Sequence, residues 1–364
     1  MKPDIQWLAE PGAAPAATSA QRGSNVTTLK PATAADPAFE ADVLDGLDDD
    51  QKHIPSIWLY DRHGSELFEE ITEVAEYYPT RTETRLLAGL APELESDIVG
   101  VHSLVEIGSG SSRKTRLLLA AMHSLDRYVP VDISADFLHD AATGLARDFP
   151  HLAIQPVVAD FTQPFPLPAA SAGHAGDDSA GNLGFFPGST IGNFTPEAAT
   201  DLLTQLGRTL GPRSRLLIGV DTTQDPALLI PAYDDAAGVT AEFNLNLLAR
   251  INRELGGDFD RSNFRHLARH DPQLGRIEMH LVSQCEQEVH VSGRTFAFAT
   301  GETIHTENCY KYSPSQFLHM AHAAHWRCER SWQDGGRTGF TVYLLRREAR
   351  RRWRCNSLLL LTVH

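Results

Sequence analysis

The run LVEIGSGSSRKT, residues 104–115, constrains the fold of this 364-residue chain more than any other stretch. An apolar strand over residues 104–107 opens into Gly108-Ser109-Gly110, and a helix-forming run, KTRLLLAAM, begins at Lys114. Glycines at a strand-to-helix turn let a ligand approach the backbone, because no Cβ stands in the way. Two further apolar strands each lead to a carboxylate, residues 128–131 before Asp132 and residues 154–158 before Asp160. From residue 104 to 220 strand patterns alternate with helical ones, which predicts an α/β fold with a parallel, doubly wound sheet. Ligands of such sheets bind beyond the carboxyl ends of the strands, where these groups converge.

The residues at those strand ends also select a ligand. Asp132 lies 24 residues after Gly108, where a carboxylate accepts hydrogen bonds from both hydroxyls of a ribose. Asp160 is placed to read an adenine edge. A dinucleotide fingerprint wants glycine where Arg113 stands, and a phosphate-cradling loop fails at the same residue. An arginine there crowds a turn that must wrap a pyrophosphate, and two aspartates add negative charge beside it. A ligand with a ribose, an adenine and no phosphate suits these groups better. S-adenosylmethionine is such a ligand, and its sulfonium is positive. A nicotinamide-dependent dehydrogenase is disfavoured by the same arginine.

Composition excludes several other classes. The formal charge of −15 argues against a nucleic-acid partner, which needs basic surface. Four cysteines without CxxC spacing suggest neither a disulfide framework nor a zinc site. His319, His322 and His325 recur at helical spacing, as do His266 and His270, but no cysteine or carboxylate ligand stands near them. Solvated faces are expected there, and no metal. GSTIG has Thr190 where a nucleophile elbow needs serine. No signal peptide opens the chain, so Asn25-Val26-Thr27 is not read as a glycosylation site. The apolar run SLLLLTV near the end is too short to span a bilayer. The expectation is a cytoplasmic, monomeric enzyme for a small molecule, without a membrane partner.

Residues 1–38, rich in Ala, Pro, Thr and Ser, read as disordered. Helices are expected over residues 39–47 and 65–74, the second stopped by Pro79, and over 83–94 with Thr80 or Thr82 as cap. Residues 169–184 read as a flexible surface loop, 196–210 as a helix and RLLIGVD as a strand. Beyond Asp221 the alternation breaks. A helical stretch over 236–254 precedes strand patterns at 276–283, 288–291 and 295–299. A helix near 313–324 leads to two closing strands, ERSWQD and FTVYLLR, and the Arg-rich run after them reads as a frayed tail.

The motifs IPSIWLYDRHGSELFEEITEVAEYYPTRTE, LVEIGSGSSRKTRLLL, FFPGSTIGNFTP, AYDDAAGVTAEFNLNLLARINRELGGDFD, RIEMHL and GETIHTENCYKY occur in this order over residues 40–345. Together they resemble the ergothioneine-pathway L-histidine Nα-methyltransferases. The resemblance implies transfer of three methyl groups from S-adenosylmethionine to the α-amine of histidine, giving hercynine. It also implies a class I (Rossmann-like) SAM-dependent methyltransferase sheet joined to a second, α+β substrate-binding domain. On that reading residues 39–81 and 222–311 bind substrate, 82–221 and 312–346 bind S-adenosylmethionine, and 347–364 form a tail.

By motif, the resemblance assigns Gly108, Lys114, Asp132, Asp160 and Phe161 to S-adenosylmethionine, with Lys114 reaching its carboxylate and Phe161 lying against adenine. It assigns Tyr77, Gly188, Asn193, Tyr233, Met279, Glu307 and Cys309 to the amino acid, and Tyr60 to the catalytic contact with its amine. Asn193 and Tyr233 hold a carboxylate without charging the site. Glu307 accepts an imidazole N–H, Tyr77 serves the other ring nitrogen, Met279 packs on the ring and Gly188 leaves room for added methyl groups. One position departs from the family pattern: Cys309 stands where serine is usual, and a thiol is the weaker hydrogen-bonding group. Another aromatic amino acid such as tryptophan is the alternative substrate. A SAM-binding regulatory protein without turnover is the alternative of a different class.

Overall fold

The computed structural model describes residues 36–169, 181–336 and 338–348. The expectations for residues 1–35, most of the loop at 169–184 and the tail beyond 348 lie outside the described residues. Residues 37 and 38, assigned to a disordered segment, instead open the helix Pro37–Asp48, whose first turn is capped by the Asp36 side chain.

Six strands run in parallel: β1 (Ser103–Ile107), β2 (Arg127–Asp132), β3 (Ala153–Ile154), β4 (Val157–Val158), β5 (Leu183–Phe186) and β6 (Arg215–Val220). The central β1 and β5 are buried at every residue, which is why they read as continuous apolar runs. The third strand expected at 154–158 is two short strands, both paired to β2 and interrupted at Gln155 and Pro156. A proline has no N–H to give a ladder, and the strand breaks there.

After β6 the chain leaves this sheet. Helices Pro226–Tyr233 and Val239–Leu255 replace the single helix expected at 236–254, with Gly238 in a left-handed conformation (φ 78°) starting the second. Five strands follow: β7 (Phe264–Asp271), β8 (Arg276–Ser283), β9 (Gln287–Val291), β10 (Arg294–Phe298) and β11 (Thr303–Tyr310). β7, β8 and β11 form an antiparallel sheet with β8 central, and β9 pairs with β10. The sequence reading missed β7 and β11. It also placed His266 and His270 at helical spacing, whereas both lie on β7.

The chain then returns. The helix Pro314–Ala323, capped reciprocally by Ser313 and Gln316, leads to β12 (Trp326–Gln333) and β13 (Thr341–Arg347). β13 pairs antiparallel with β6 and β12 pairs antiparallel with β13, giving the order β12-β13-β6-β5-β1-β2-β3. This is the class I methyltransferase arrangement expected from the sequence.

Two apolar clusters cover the faces of the large sheet, one around Leu87, Tyr128 and Phe340, the other around Val129, Leu203 and Trp326. A third joins Phe39, Leu59 and Ile71 to Phe243, Met279 and Ile304, so the N-terminal helices pack with the second sheet. Pro79 does not stop the preceding helix, which spans Arg62–Glu73; it lies in the first turn of Tyr78–Asp97, where proline is tolerated. No helix among the described residues is long and apolar enough to cross a membrane.

Candidate active site

The glycine turn after β1 is held open by its neighbours. Gly108 (φ 67°) and Gly110 (φ 48°) take left-handed backbone conformations that side chains resist. The N–H groups of Gly108 and Ser109 donate to the Val131 carbonyl at 2.9 and 3.1 Å. The Gly110 N–H donates to Asp132 Oδ2 at 3.0 Å, and Ser134 N–H donates to its other oxygen. Burial pushes the Asp132 carboxyl above its usual range. Asp160 accepts from the Thr162 backbone and hydroxyl at 2.8 and 2.7 Å. A Cβ on Gly108 would stand 3.5 Å from the Phe161 ring, so glycine and ring leave a slot between the strand ends. Gly108, Asp132, Asp160 and Phe161 line one cavity of ≈ 620 Å³. The apolar side chains of Ile133, Phe137 and Phe161 beside the carboxylates of Asp132 and Asp160 suit an adenosine group.

Under the turn lies a tie that the sequence reading did not single out. Glu106, 1 % exposed, accepts from Thr115 and Tyr128, and Tyr128 meets the Ser112 hydroxyl at 3.0 Å. Burial raises the Glu106 carboxyl to about 8, so it keeps its proton at neutral pH. Lys114 stands immediately before the helix Thr115–Ala121, and its ammonium donates to Glu83 Oε2 at 2.6 Å. The same oxygen accepts the Gly188 N–H at 2.8 Å. Glu83 therefore joins the glycine turn after β1 to the turn after β5.

The eight residues assigned to the amino acid and its amine line one cavity: Tyr60, Tyr77, Gly188, Asn193, Tyr233, Met279, Glu307 and Cys309. They come from distant segments. Tyr60 ends the short helix Ser56–Leu59, Tyr77 precedes the helix Tyr78–Asp97, and Asn193 ends the short helix Thr190–Asn193. Tyr233 ends its helix, while Met279 on β8 faces Glu307 on β11. A bulge between His305 and Glu307 shifts the register there. This cavity shares Tyr60, Phe68, Thr190 and Asn193 with the nucleoside cavity, so one wall serves both.

Glu307 Oε1 accepts from the Asn193 amide at 3.1 Å. Burial raises the Glu307 carboxyl to about 7, against the opposing pull of Lys311 and that amide. Burial likewise raises Tyr60, Tyr77 and Tyr233, which remain neutral phenols. Tyr60 packs edge-on against Phe68 and Phe243, and Tyr77 against Tyr233. The Tyr233 hydroxyl lies 2.8 Å from Cys309 Sγ.

Behind this wall stand groups the sequence reading missed. Lys311, 2 % exposed, pairs with the fully buried Asp221 at 2.8 Å, and the Tyr78 hydroxyl donates to the same carboxylate at 2.6 Å. A period of two along β11 and just past it links Glu307, Cys309 and Lys311, the signal that could have found the lysine. Buried His266 bonds the Tyr233 carbonyl at 2.8 Å and so holds the end of that helix. His319, His322 and His325 are exposed, in line with the expected solvated face. Glu278, His280 and His305 do bring ligand-type atoms within 4.8 Å of one another, a grouping the spacing did not suggest. Arg269, Arg276 and His280 occupy the Glu278 carboxylate, and His305 stacks on His280.

Residues 39–347 match the family described as histidine-specific, SAM-dependent methyltransferases. The chain is 41 % identical to the histidine N-alpha-methyltransferase of Mycolicibacterium smegmatis, covering 83 % of this chain and 94 % of that one. It is also 41 % identical to the histidine N-alpha-methyltransferase of Mycobacterium tuberculosis, covering 82 % and 91 %. A third relative, ergothioneine biosynthesis protein 1 of Neurospora crassa, is 32 % identical over 57 % of this chain, which spans 24 % of that protein. The strand order, the glycine turn with its two aspartates and the match along the chain agree: this protein belongs to the SAM-dependent, histidine-specific methyltransferase family.

Proposed function

We propose that this protein transfers three methyl groups in succession from S-adenosylmethionine to the α-amine of L-histidine, giving hercynine in the first step of ergothioneine biosynthesis. The observation that carries this reading is the position of Glu307. It stands in a cavity whose wall is shared with the nucleoside cavity, faces Met279 and is hydrogen-bonded to Asn193. A carboxyl near pKa 7 beside an imidazole of similar pKa lets the pair hold one proton between them, in either order. An indole has one N–H and no second nitrogen for Tyr77.

Bound S-adenosylmethionine supplies an electrophilic methyl group on a sulfonium. Asp132 would hold its ribose, Asp160 its adenine edge, Phe161 would cover the ring and Lys114 would reach its carboxylate. For the amino acid, Asn193 and Tyr233 would hold the carboxylate, and Met279 would pack on the imidazole. The site acts chiefly by positioning, because an in-line displacement needs the nitrogen lone pair about 3 Å from the methyl carbon. The amine must be neutral, and deprotonating a group that titrates one or two units above ambient pH costs roughly 1.4–2.8 kcal/mol. The adjacent sulfonium lowers that cost. Tyr60 would hydrogen-bond the amine and pass its proton toward solvent. This chemistry requires neither a metal nor a strong base.

The division into a substrate-binding domain (39–81 and 222–311) and a SAM-binding domain (82–221 and 312–346) belongs to the same proposal. It is supported by the apolar cluster that joins the N-terminal helices to the second sheet. A monomeric, cytoplasmic enzyme acting on a small molecule completes it. Labelled methyl transfer tests the reading with histidine, tryptophan and imidazole-propionate, which lacks the amine, as separate acceptors. Label in histidine alone supports it; label in tryptophan with none in histidine refutes the substrate assignment.

A further inference from the structure

Among the residues lining the substrate cavity none is lysine or arginine. An amino acid nevertheless carries a carboxylate, and a buried anion without a counter-charge is costly. Lys311 stands one layer back, between the cavity wall and Asp221. Its ammonium has three protons and three acceptors: Asp221 Oδ2 at 2.8 Å, the Tyr233 hydroxyl oxygen at 2.8 Å and Cys309 Sγ at 3.2 Å. The Asp221 carboxylate also takes the Tyr78 hydroxyl and the Thr223 N–H, and none of its partners lines the cavity, whereas Lys311 touches two residues that do. The ion pair therefore turns its positive end toward the pocket.

Because the Tyr233 oxygen accepts from Lys311, its own proton must be given to something else. Cys309 Sγ, at 2.8 Å, is a weak acceptor that a carboxylate easily outcompetes. We propose that Lys311 is a positioning residue for the substrate carboxylate: it fixes Tyr233 as a donor aimed into the cavity and places positive charge behind that donor. This rests on the histidine reading above, in which Tyr233 meets the carboxylate. Burial alone would lower the Lys311 ammonium, but Asp221 together with Cys309, Tyr233 and Tyr78 outweighs it and keeps the group charged.

The simpler view is that Lys311 only neutralises Asp221. Removing the lysine alone cannot separate the two, because it strands a buried charge. The variant to make is Lys311→Met with Asp221→Asn, assayed beside the wild-type enzyme. The proposal expects a folded protein with unchanged S-adenosylmethionine binding and a histidine KM raised roughly tenfold, with kcat changed less. Binding of histamine, which lacks the carboxylate, should not change. A folded double variant whose histidine KM stays within about twofold of wild type overturns the proposal. Wild-type protein that does not methylate histidine would instead refute the parent reading. A crystal structure of wild-type protein with histidine and S-adenosylhomocysteine gives a second, independent test that does not depend on the variant folding. The Tyr233 oxygen should bridge the Lys311 ammonium and the substrate carboxylate; a carboxylate bound elsewhere overturns the proposal.

Discussion

The Asn193 amide donates to the Glu307 carboxylate over 3.1 Å, joining the turn after β5 of the large sheet to β11 of the second one. A group that reads the substrate is thus tied to a residue lining the nucleoside cavity as well. A buried acid with such a bond carries a definite pH signature.

Burial raises Glu307 from an ordinary value of 4.5 to about 7. An acid raised on folding stabilises the protein below its ordinary pKa and loses that contribution as pH rises through the folded value, here between 4.5 and about 7. Ionised Glu307 should therefore cost on the order of 3 kcal/mol above that window. Glu307→Gln should melt higher than wild type at pH 8 but not at pH 4, while kcat/KM for histidine falls. Melting curves at both pH values check this; equal differences at the two would contradict it.

Cys309 touches both Tyr233 and Lys311 through sulfur. Cys309→Ser supplies a stronger hydrogen-bonding group at the same place, worth roughly 1 kcal/mol or about fivefold in affinity. The histidine KM should fall accordingly. Unchanged steady-state kinetics would show that this position does not bear on the ring or its neighbours.

Gly188 has φ 81°, and a Cβ there would stand 3.4 Å from the Thr190 hydroxyl and 3.7 Å from the Lys114 ammonium. A side chain is strained there and also takes space that added methyl groups need. Gly188→Val should stall the reaction at mono- or dimethylhistidine, and Gly188→Ala should do so in part. Mass spectrometry of the products decides it; undiminished trimethylation by the valine variant would sink the idea.

Asp132 accepts the Gly110 N–H and should also hold the ribose hydroxyls. Asp132→Ala should weaken S-adenosylmethionine binding at least roughly tenfold by calorimetry, since it removes hydrogen bonds to a charged acceptor. An unchanged dissociation constant would place the nucleoside elsewhere.

Acid should loosen the second sheet. Burial, with His280 stacked at 4.7 Å, lowers His305 to about 4, and burial also lowers His280. A base lowered on folding stabilises the protein above its ordinary pKa, near 6.5, and that contribution is lost as pH falls toward the folded value. Urea midpoints should drop between pH 6.5 and 4, and His305→Asn should flatten that slope.

The methyltransferase sheet was legible in the sequence because its strands are buried on both faces and read as apolar runs. β1, β2 and β6 fall within one residue of expectation. The helix Pro196–Leu210 matches its expected bounds, with Thr195 as its cap. β7 and β11 escaped because His266, His270, His305 and Glu307 interrupt their apolar pattern, and His266 and Glu307 are held by partners remote in sequence. Pro79 read as an end rather than a beginning, since a proline marks either. The eight substrate-site residues came from resemblance to a family; spacing alone would not have gathered segments from residue 60 to 309 into one cavity. Lys311 and Asp221 went unseen because their meaning lies in each other, 90 residues apart.

The central claim is met most directly by one incubation. Purified protein, S-adenosylmethionine and an equimolar mixture of amino acids are combined, and the products are followed by mass spectrometry. The account predicts that histidine alone gains methyl groups and that it ends with three. Methylation of tryptophan or another amine, with histidine untouched, would contradict the roles given to Glu307, Tyr77 and Met279.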